Sequence, residues 1–416
     1  MLIGVDCDED RDFDHSMEEL KGLTKACDME VVGVLTQKLV HPDNALYLGH
    51  GKVEELKEYV EKLEADYCIC EGDLSPSQMK NLQDIIKVPV WDHTNLILEI
   101  FSRRAKTKEA KLQVESAYLQ FMLPRLSGMW QHLGRQGGGS GSRSNKGEGE
   151  KQIELDRRYI NHRIAEIRKE LEEVSKNRQV QREGRRKDAL PNVAMVGYTN
   201  AGKSSLMNRL LGESKSEKKV FEQNMLFATL DTSIRKVSGR NNRDFLLSDT
   251  VGFIENLPHS LIKAFRSTLE EAKCADLLLI VLDSSDPFYP EHKKVTEETL
   301  KELGADSIPR IYVMNKSDLL EKEGSDLITP DSARIYVSTL TGKGIDNLLT
   351  EIDHRIYGDV IKIDRVISYS RSDIPARLHK AAHVISEEFT EEGIKITVEG
   401  PKRIVEAILD ESNGGK

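Results

Sequence analysis

Residues 192–197 read NVAMVG, an apolar strand. It runs directly into GYTNAGKSS and then into SLMNRLLG, whose leucines recur at helical spacing. A strand, a glycine-bounded loop of the form G-x-x-x-x-G-K-S and a helix in immediate succession allow few folds. The glycines let backbone N–H groups turn inward on phosphate oxygens, and the helix N-terminus adds partial positive charge. In this geometry Lys203 reaches β- and γ-phosphates and the Ser204 hydroxyl can ligate Mg²⁺. The pattern arises by chance in roughly one or two of a hundred chains of this length, so its companions decide.

Those companions follow in order, each at the end of an apolar strand. DTVG at 249–252 follows DFLLS, and suits Mg²⁺ coordination through water together with a Gly252 N–H on the γ-phosphate. NKSD at 315–318 follows RIYVM. The Asp318 carboxylate can accept from guanine N1–H and the exocyclic amine, whereas adenine presents an acceptor at that edge. A buried mismatch of this kind can discriminate by about 10⁴ or more, so GTP is expected rather than ATP. Ser338 and Thr339, after the strand RIYV, are placed to close over the base. Between the cradle and DTVG lies LFATLDTS at 226–233, where Thr229 and Thr232 are both candidates for the Mg²⁺ and γ-phosphate threonine. Phe253 stands where many small GTPases carry a water-orienting glutamine. Either some other group completes the hydrolytic site, or a partner does.

At 416 residues the chain exceeds a single core. Residues 1–95 alternate apolar runs (LIGVDC, VVGVLTQ, DYCIC, VPVWD) with amphipathic stretches at 14–27, 51–63 and 75–86. They predict buried strands and intervening helices in a small parallel α/β domain. Cys68 and Cys70 point the same way from one strand and are read as buried small hydrophobes. Five cysteines without a C-x-x-C pair give no metal or redox signature. Residues 96–188 lose the strand pattern. Leu112, Leu119 and Leu126 fall seven apart, with Glu115 and Met122 on adjoining positions and Pro124 as a late stop. Ile153, Ile160, Ile167 and Val174 repeat the spacing, with Ile164 and Leu171 beside them. These predict an antiparallel helical hairpin, each arm about thirty residues and ~45 Å long. Its tip, 134–149, is rich in glycine. Residues 189–358 form the phosphate-binding domain. Residues 359–416 predict a small α/β module: IKIDRVISY, a helix near 376–382, a hairpin at 387–400 and a last helix from Pro401.

Net charge is −10, which taken globally disfavours a nucleic-acid partner. Between 151 and 187, however, twelve Lys/Arg face seven Asp/Glu, a surplus of five positive charges. The tip lacks aromatic residues, so contact with phosphates rather than base stacking is expected there. The acidic N-terminus carries no basic n-region, and the densest apolar run, 277–282, is too short to span a bilayer. A cytoplasmic location without a membrane span is expected.

The chain resembles the HflX-type GTPases, of the Obg–HflX branch of translation-related P-loop proteins. GVLTQK, YLGHGKVEELK, LSPSQMKNLQ, LQVESAYLQFMLPRL and GEGEKQIELDRR carry the resemblance, with GYTNAGKSSLMNRL, FATLDTS, DTVGFI and NKSD. The resemblance implies Thr229 as the Mg²⁺ and γ-phosphate threonine, and Lys203, Thr229 and Gly252 as the hydrolytic set. The metal would be held by Ser204, Thr229 and Asp249. The implied nucleotide contacts are Gly197, Tyr198, Thr199, Asn200, Ala201, Gly202, Lys203, Ser204 and Ser205 in the cradle, and Phe227, Ala228, Thr229, Leu230 and Asp231 beyond it. Asp249, Thr250, Val251 and Gly252 follow, then Asn315, Lys316, Ser317, Asp318, Ser338, Thr339 and Leu340. Asn200 matches a cradle asparagine that potassium-activated relatives use for K⁺. The resemblance further implies a monomer that binds the large ribosomal subunit, through rRNA and ribosomal proteins. Such a factor splits or rescues stalled ribosomes under stress, and its hydrolysis of GTP to GDP is stimulated there. Two other classes fit the residues alone: a GTP-dependent protein-interaction switch and a nucleotide-driven RNA-remodelling enzyme.

Overall fold

The computed structural model describes residues 1–7, 12–126, 144–187, 190–213, 227, 233–239, 244–250, 252–254, 271–322, 334–358, 360–371 and 373–410. The chain divides into two compact units. The first comprises Met1–Arg182 with Gln223–Asp231 and Asn256–Ser267, and the second the remainder.

The first unit opens with β1 (Leu2–Asp6), α1 (Phe13–Ala26), β2 (Val34–Lys38), α2 (His50–Lys62), β3 (Cys68–Cys70), α3 (Pro76–Ile86), β4 (Val90–Trp91) and α4 (His93–Arg104). The strands form a parallel sheet in the order β2-β1-β3-β4, as alternating strands and helices demand. Ser75 caps α3 in a reciprocal capping box with Gln78, and Pro76 occupies the first turn. Cys68 and Cys70 are buried in the apolar core, and burial pushes the Cys68 thiol up to about 12. Val34 departs from the expectation of a wholly buried strand. β2 is a sheet edge, so alternate side chains there face solvent.

The stretch expected as the first arm of the hairpin, from residue 96, is two helices rather than one. α4 packs on α1 and the sheet, and the chain breaks before Thr107, whose hydroxyl accepts from Ala110 N–H to start α5 (Lys108–Met122). α5 ends two residues before Pro124, as expected. The second arm, α6 (Ser144–Lys187), is one helix of 44 residues, ~66 Å long and well beyond the expected thirty. The glycine-rich tip is correspondingly shorter than expected, because residues 144–149 belong to α6; adding residues to an existing helix avoids the cost of nucleation. The remainder of the tip lies outside the described residues. Arg163 forks onto the Glu115 carboxylate at 2.7 and 2.9 Å, and Lys108 meets Glu170 at 2.9 Å. Rising numbers in α5 against falling numbers in α6 make the helices antiparallel. Leu119, Leu123, Leu126, Ile160 and Ile164 form the apolar seam between them. Phe227, also of this unit, is buried with its ring edge-on to Phe101 at 4.7 Å.

The second unit contains β5 (Asn192–Val196), α7 (Lys203–Glu213), β6 (Ser233–Val237), β7 (Phe245–Asp249), β8 (Leu277–Asp283), α8 (Tyr289–Glu302), β9 (Arg310–Asn315), α9 (Ser317–Lys322), β10 (Arg334–Tyr336) and α10 (Ile345–Tyr357). The sheet order is β10-β9-β8-β5-β7-β6, parallel except for the edge strand β6. Successive connections from β5 lead to opposite sides of it. Its carboxyl end therefore lies at a topological switch point, where open α/β sheets leave a crevice. β11 (Val360–Ile367), α11 (Asp373–Ala381), β12 (His383–Thr390), β13 (Gly393–Pro401) and α12 (Lys402–Asp410) complete the unit. Their sheet, β11-β13-β12, is antiparallel and buries one face against the two helices. β12 starts at His383, so this hairpin is longer than the expected 387–400. Among the described residues no helix is long and apolar enough to cross a membrane.

One buried ion pair ties α4 to the end of α5. The Asp92 carboxylate, fully buried, caps α4 through Asn95 N–H at 2.8 Å and accepts from Arg125 at 2.9 Å. Burial pushes this carboxyl above its ordinary range, against the pull of Asn95 and Arg125. Arg125 also donates to Leu74 O and Phe121 O and lies over the Phe121 ring. Removing one partner of such a pair strands a buried charge at a cost of about 3 kcal/mol. Arg125→Met is therefore expected to lower a calorimetric unfolding transition by several degrees; an unmoved thermogram would contradict it.

Candidate nucleotide-binding site

The cradle sits at the exit of β5, and α7 begins at Lys203 with its N-terminus toward the loop. Asn200 adopts a left-handed conformation (φ 59°) and is exposed. Gly202 has φ 91°, and a Cβ there would fall 2.1 Å from Asn315 Nδ2. Only glycine meets both demands. The Lys203 ammonium is buried and donates to Gly197 O at 2.9 Å and Tyr198 O at 2.7 Å. Burial brings its pKa down to about 8, with the Asp249 carboxylate pulling the other way. Thr199 and Ala201 are buried in the loop, and Ser205 lies half-buried in the first turn of α7.

Ser204 Oγ donates to Asp249 Oδ2 at 2.8 Å, across the boundary between β5 and β7. Thr250 Oγ donates to Met195 O at 2.7 Å, which fixes the exit of β7 beside β5. Gly252 passes so close to the cradle that a Cβ would meet Thr199 Cα at 2.9 Å and Lys203 Nζ at 3.0 Å. The next residue, Phe253, continues this contact by its backbone. Its N–H donates to Gly197 O at 3.1 Å and its carbonyl accepts from Thr199 N–H at 2.7 Å. The phenyl ring is buried, so this position packs.

Asn315, fully buried at the end of β9, joins the outer pieces. Its amide donates to Ala201 O at 2.9 Å, and its side-chain oxygen accepts from Thr339 N–H at 3.3 Å. Asp318 Oδ1 accepts from Ser338 Oγ at 2.6 Å, and the same hydroxyl accepts from Thr341 N–H at 3.1 Å. Ser317 N–H donates to Val337 O at 3.1 Å. Lys316, left-handed at φ 60°, pairs with Asp283 at 2.6 Å. The side chain of Leu340 stands in solvent. The structure thus brings together residues 197–205, 249–250, 252, 315–318 and 338–339. Phe227 spends its ring against Phe101. Ala228, Thr229, Leu230, Asp231, Val251 and Thr232 lie outside the described residues.

Sequence reasoning missed Asp283, Ser284 and His292. Ser284 donates both N–H and Oγ to Asn315 O, at 2.9 and 2.6 Å, and His292 stacks on Tyr198. The string LDSSDP at 282–287 was visible after an apolar strand, but only the sheet order, which sets β8 beside β5, brings it to the crevice.

Three family models match in sequence: "GTP-binding GTPase N-terminal" over 14–102, "GTP-binding GTPase Middle Region" over 104–185 and "50S ribosome-binding GTPase" over 192–316. A protein described as GTPase HflX in Caldanaerobacter subterraneus is 44% identical, over 93% of this chain and 87% of that one. GTPase HflX of Escherichia coli is 37% identical over 94% and 91% of the two chains. The chain belongs to the HflX family of GTPases. A solved GTP-binding protein from Sulfolobus solfataricus in complex with GDP is 25% identical, covering 85% of this chain and 98% of its own, with a TM-score of 0.45. As an HflX GTPase the protein binds GTP and hydrolyses it.

The base specificity of this HflX chain is testable at Asp318. An asparagine there would turn an N–H₂ toward the guanine amine, donor against donor, while matching the carbonyl that xanthine carries at that edge. Asp318→Asn is expected to weaken GTP at least ~100-fold and to favour xanthosine triphosphate, read by competition binding.

Proposed function

We propose that this HflX protein is a GTP-driven factor that docks on the large ribosomal subunit in the cytoplasm and splits or rescues stalled ribosomes. The motif residues divide the work. Backbone N–H groups of 198–204 hold the β- and γ-phosphates, and Lys203 turns from the carbonyls of Gly197 and Tyr198 onto phosphate oxygens. Gly252 N–H senses the γ-phosphate, and Asp318 reads guanine while Ser338 and Thr339 close over it. The observation that supports this reading best is Asn315, whose one side chain bonds to both the cradle and the base loop.

A Mg²⁺ ion fits the donor set: a serine hydroxyl and a buried carboxylate 2.8 Å apart are hard oxygen ligands. Ser204 and Asp249 would hold it, with Thr229 as the third. Bound there, the ion would neutralise charge developing on the phosphates. Asn200 is the residue proposed for K⁺. Phe253 cannot orient water and its ring is packed, so the ribosome is the proposed source of whatever completes hydrolysis.

The hairpin supports an RNA partner. Arg157, Arg158, Arg168, Lys169 and Lys176 are exposed along α6, in the segment with the surplus of positive charge. Cations on a slender arm gain affinity by releasing counterions from RNA phosphates. The description of the matched family, a 50S ribosome-binding GTPase, points the same way. A protein-only switch would lack the steep salt dependence of RNA binding.

Sedimentation with purified large subunits tests the proposal. The protein should pellet with a non-hydrolysable GTP analogue and far less with GDP, and binding should drop by orders of magnitude between low and moderate salt. Removing residues 137–143 should spare GTP turnover in the free protein and weaken subunit splitting. Equal pelleting in every nucleotide state, or none, would sink the assignment.

A further inference from the structure

Tyr198, the second residue of the cradle, lies flat against His292 of α8. Their ring centroids are 3.7 Å apart and the planes differ by 11°. Both side chains are buried. His292 is held by the first turn of α8, with Asp286 beside it. Its Nδ1 lies 3.7 Å from Asp286 Oδ2, and the other oxygen of Asp286 accepts from Phe288 N–H at 3.0 Å just ahead of α8. Its backbone N–H donates to Phe288 O and its carbonyl accepts from Thr296 Oγ, so it sits in a closed first turn.

The backbone of Tyr198 meanwhile meets two other groups. Its carbonyl accepts from Lys203 Nζ at 2.7 Å. On either side of it, Gly197 O and Thr199 N–H bond to the backbone of Phe253, giving a parallel bridge between Tyr198 and Phe253. Phe253 directly follows Gly252. A tyrosine has two rotatable side-chain bonds, and a parallel stack fixes both the position of its ring and the ring plane. Pinning the ring therefore pins the Cα from which the lysine contact and the Phe253 ladder extend.

We propose that His292 is a positioning residue for GTP hydrolysis. Through Tyr198 it keeps the cradle in register with the Gly252–Phe253 segment, so that the γ-phosphate meets Lys203 and Gly252 together. His292 acts without touching nucleotide, and the proposal rests on the assignment of the cradle above. Two consequences follow from the geometry. GDP needs the cradle amides and Lys203 but makes no demand on Gly252, so its binding depends little on the stack. GTP draws on both sides of the bridge, so loss of the stack falls on the γ-phosphate and on turnover.

The test compares His292→Ala, His292→Leu and His292→Phe in the full chain. GDP affinity, GTP-analogue affinity, turnover and melting temperature are measured for each. His292→Ala should lower kcat and the preference for GTP analogue over GDP by roughly threefold to tenfold, the range of one aromatic pair. GDP affinity should stay within about twofold. His292→Phe restores a flat ring and should recover turnover, whereas His292→Leu refills the space without a ring and should not. Equal rescue by leucine and phenylalanine would reduce His292 to packing and overturn the proposal. So would turnover and GTP preference left unmoved in His292→Ala. Lys203→Ala separates the two levels of failure. If it still binds nucleotide normally, the cradle reading falls and this proposal with it; if it loses nucleotide while His292→Ala is silent, the stack alone is refuted.

Discussion

A single buried carboxamide sets the relation among the parts of the nucleotide site. Asn315 leaves no side-chain polar group to chance: its amide is spent on Ala201 O and its oxygen on Thr339 N–H. Leaving either buried group unpaired would cost about 1–3 kcal/mol, so the cradle and the base loop are held at a fixed separation. The carbonyl of the same residue takes two bonds from Ser284 at the exit of β8. Strand order makes this possible. Because β8 lies between β5 and β9, their three carboxyl ends converge, and motifs more than a hundred residues apart in sequence become neighbours. Gly202 follows from the same constraint, since any side chain there would occupy the place of the Asn315 amide.

The hairpin is stabilised on a different principle. Its seam includes Leu126, Ile160 and Ile164, with Leu119 and Leu123 beside them, and Leu112 of α5 and Ile167 of α6 are buried as well. α6 is far longer than α5, so much of its surface has no counterpart on α5 to bury against. Directional pairs add to the definition of register. Arg163 forks onto Glu115 and also approaches Glu166 and Glu170, while Lys108 reaches Glu170. Exposed pairs of this kind contribute little each, typically under ~1 kcal/mol, but a bidentate fork is strict about geometry. Among the described residues, Arg157, Arg158, Arg168, Lys169 and Lys176 of α6 stay exposed to solvent, which burial in a compact core would prevent.

Much of this was legible in the sequence, for identifiable reasons. The strands and helices of the first unit follow alternation and caps, and Ser75-Pro76 with Gln78 marks the start of α3 to the residue. The cradle, DTVG and NKSD are local strings whose roles depend on short-range backbone geometry. What escaped was set by longer-range choices. The break at residues 105–107 needs only one threonine cap inside a run that otherwise keeps helical periodicity. The solvent-facing side of β2 depends on which strand ends up at the edge, which periodicity does not encode. Asp283, Ser284 and His292 carry no motif, and enter the site only because β8 is laid down beside β5.

Phe253 shows how a residue read as an absence can carry a structural task. As a sequence letter it is a missing glutamine, an absence. In the fold it is a fixed strut, its ring buried and its backbone laddered to Gly197 and Thr199 on both sides of Tyr198. Swinging that residue out to orient water would break two hydrogen bonds and expose the ring, whose burial alone is worth about 2 kcal/mol. The position that other GTPases use for mobile water chemistry is here committed to holding Gly252 against the cradle. Slow hydrolysis by the free protein is the expectation that goes with the proposed reading. On the proposed reading, faster hydrolysis would need a group brought to the phosphates from another part of the chain or from a partner, because Phe253 is committed to packing.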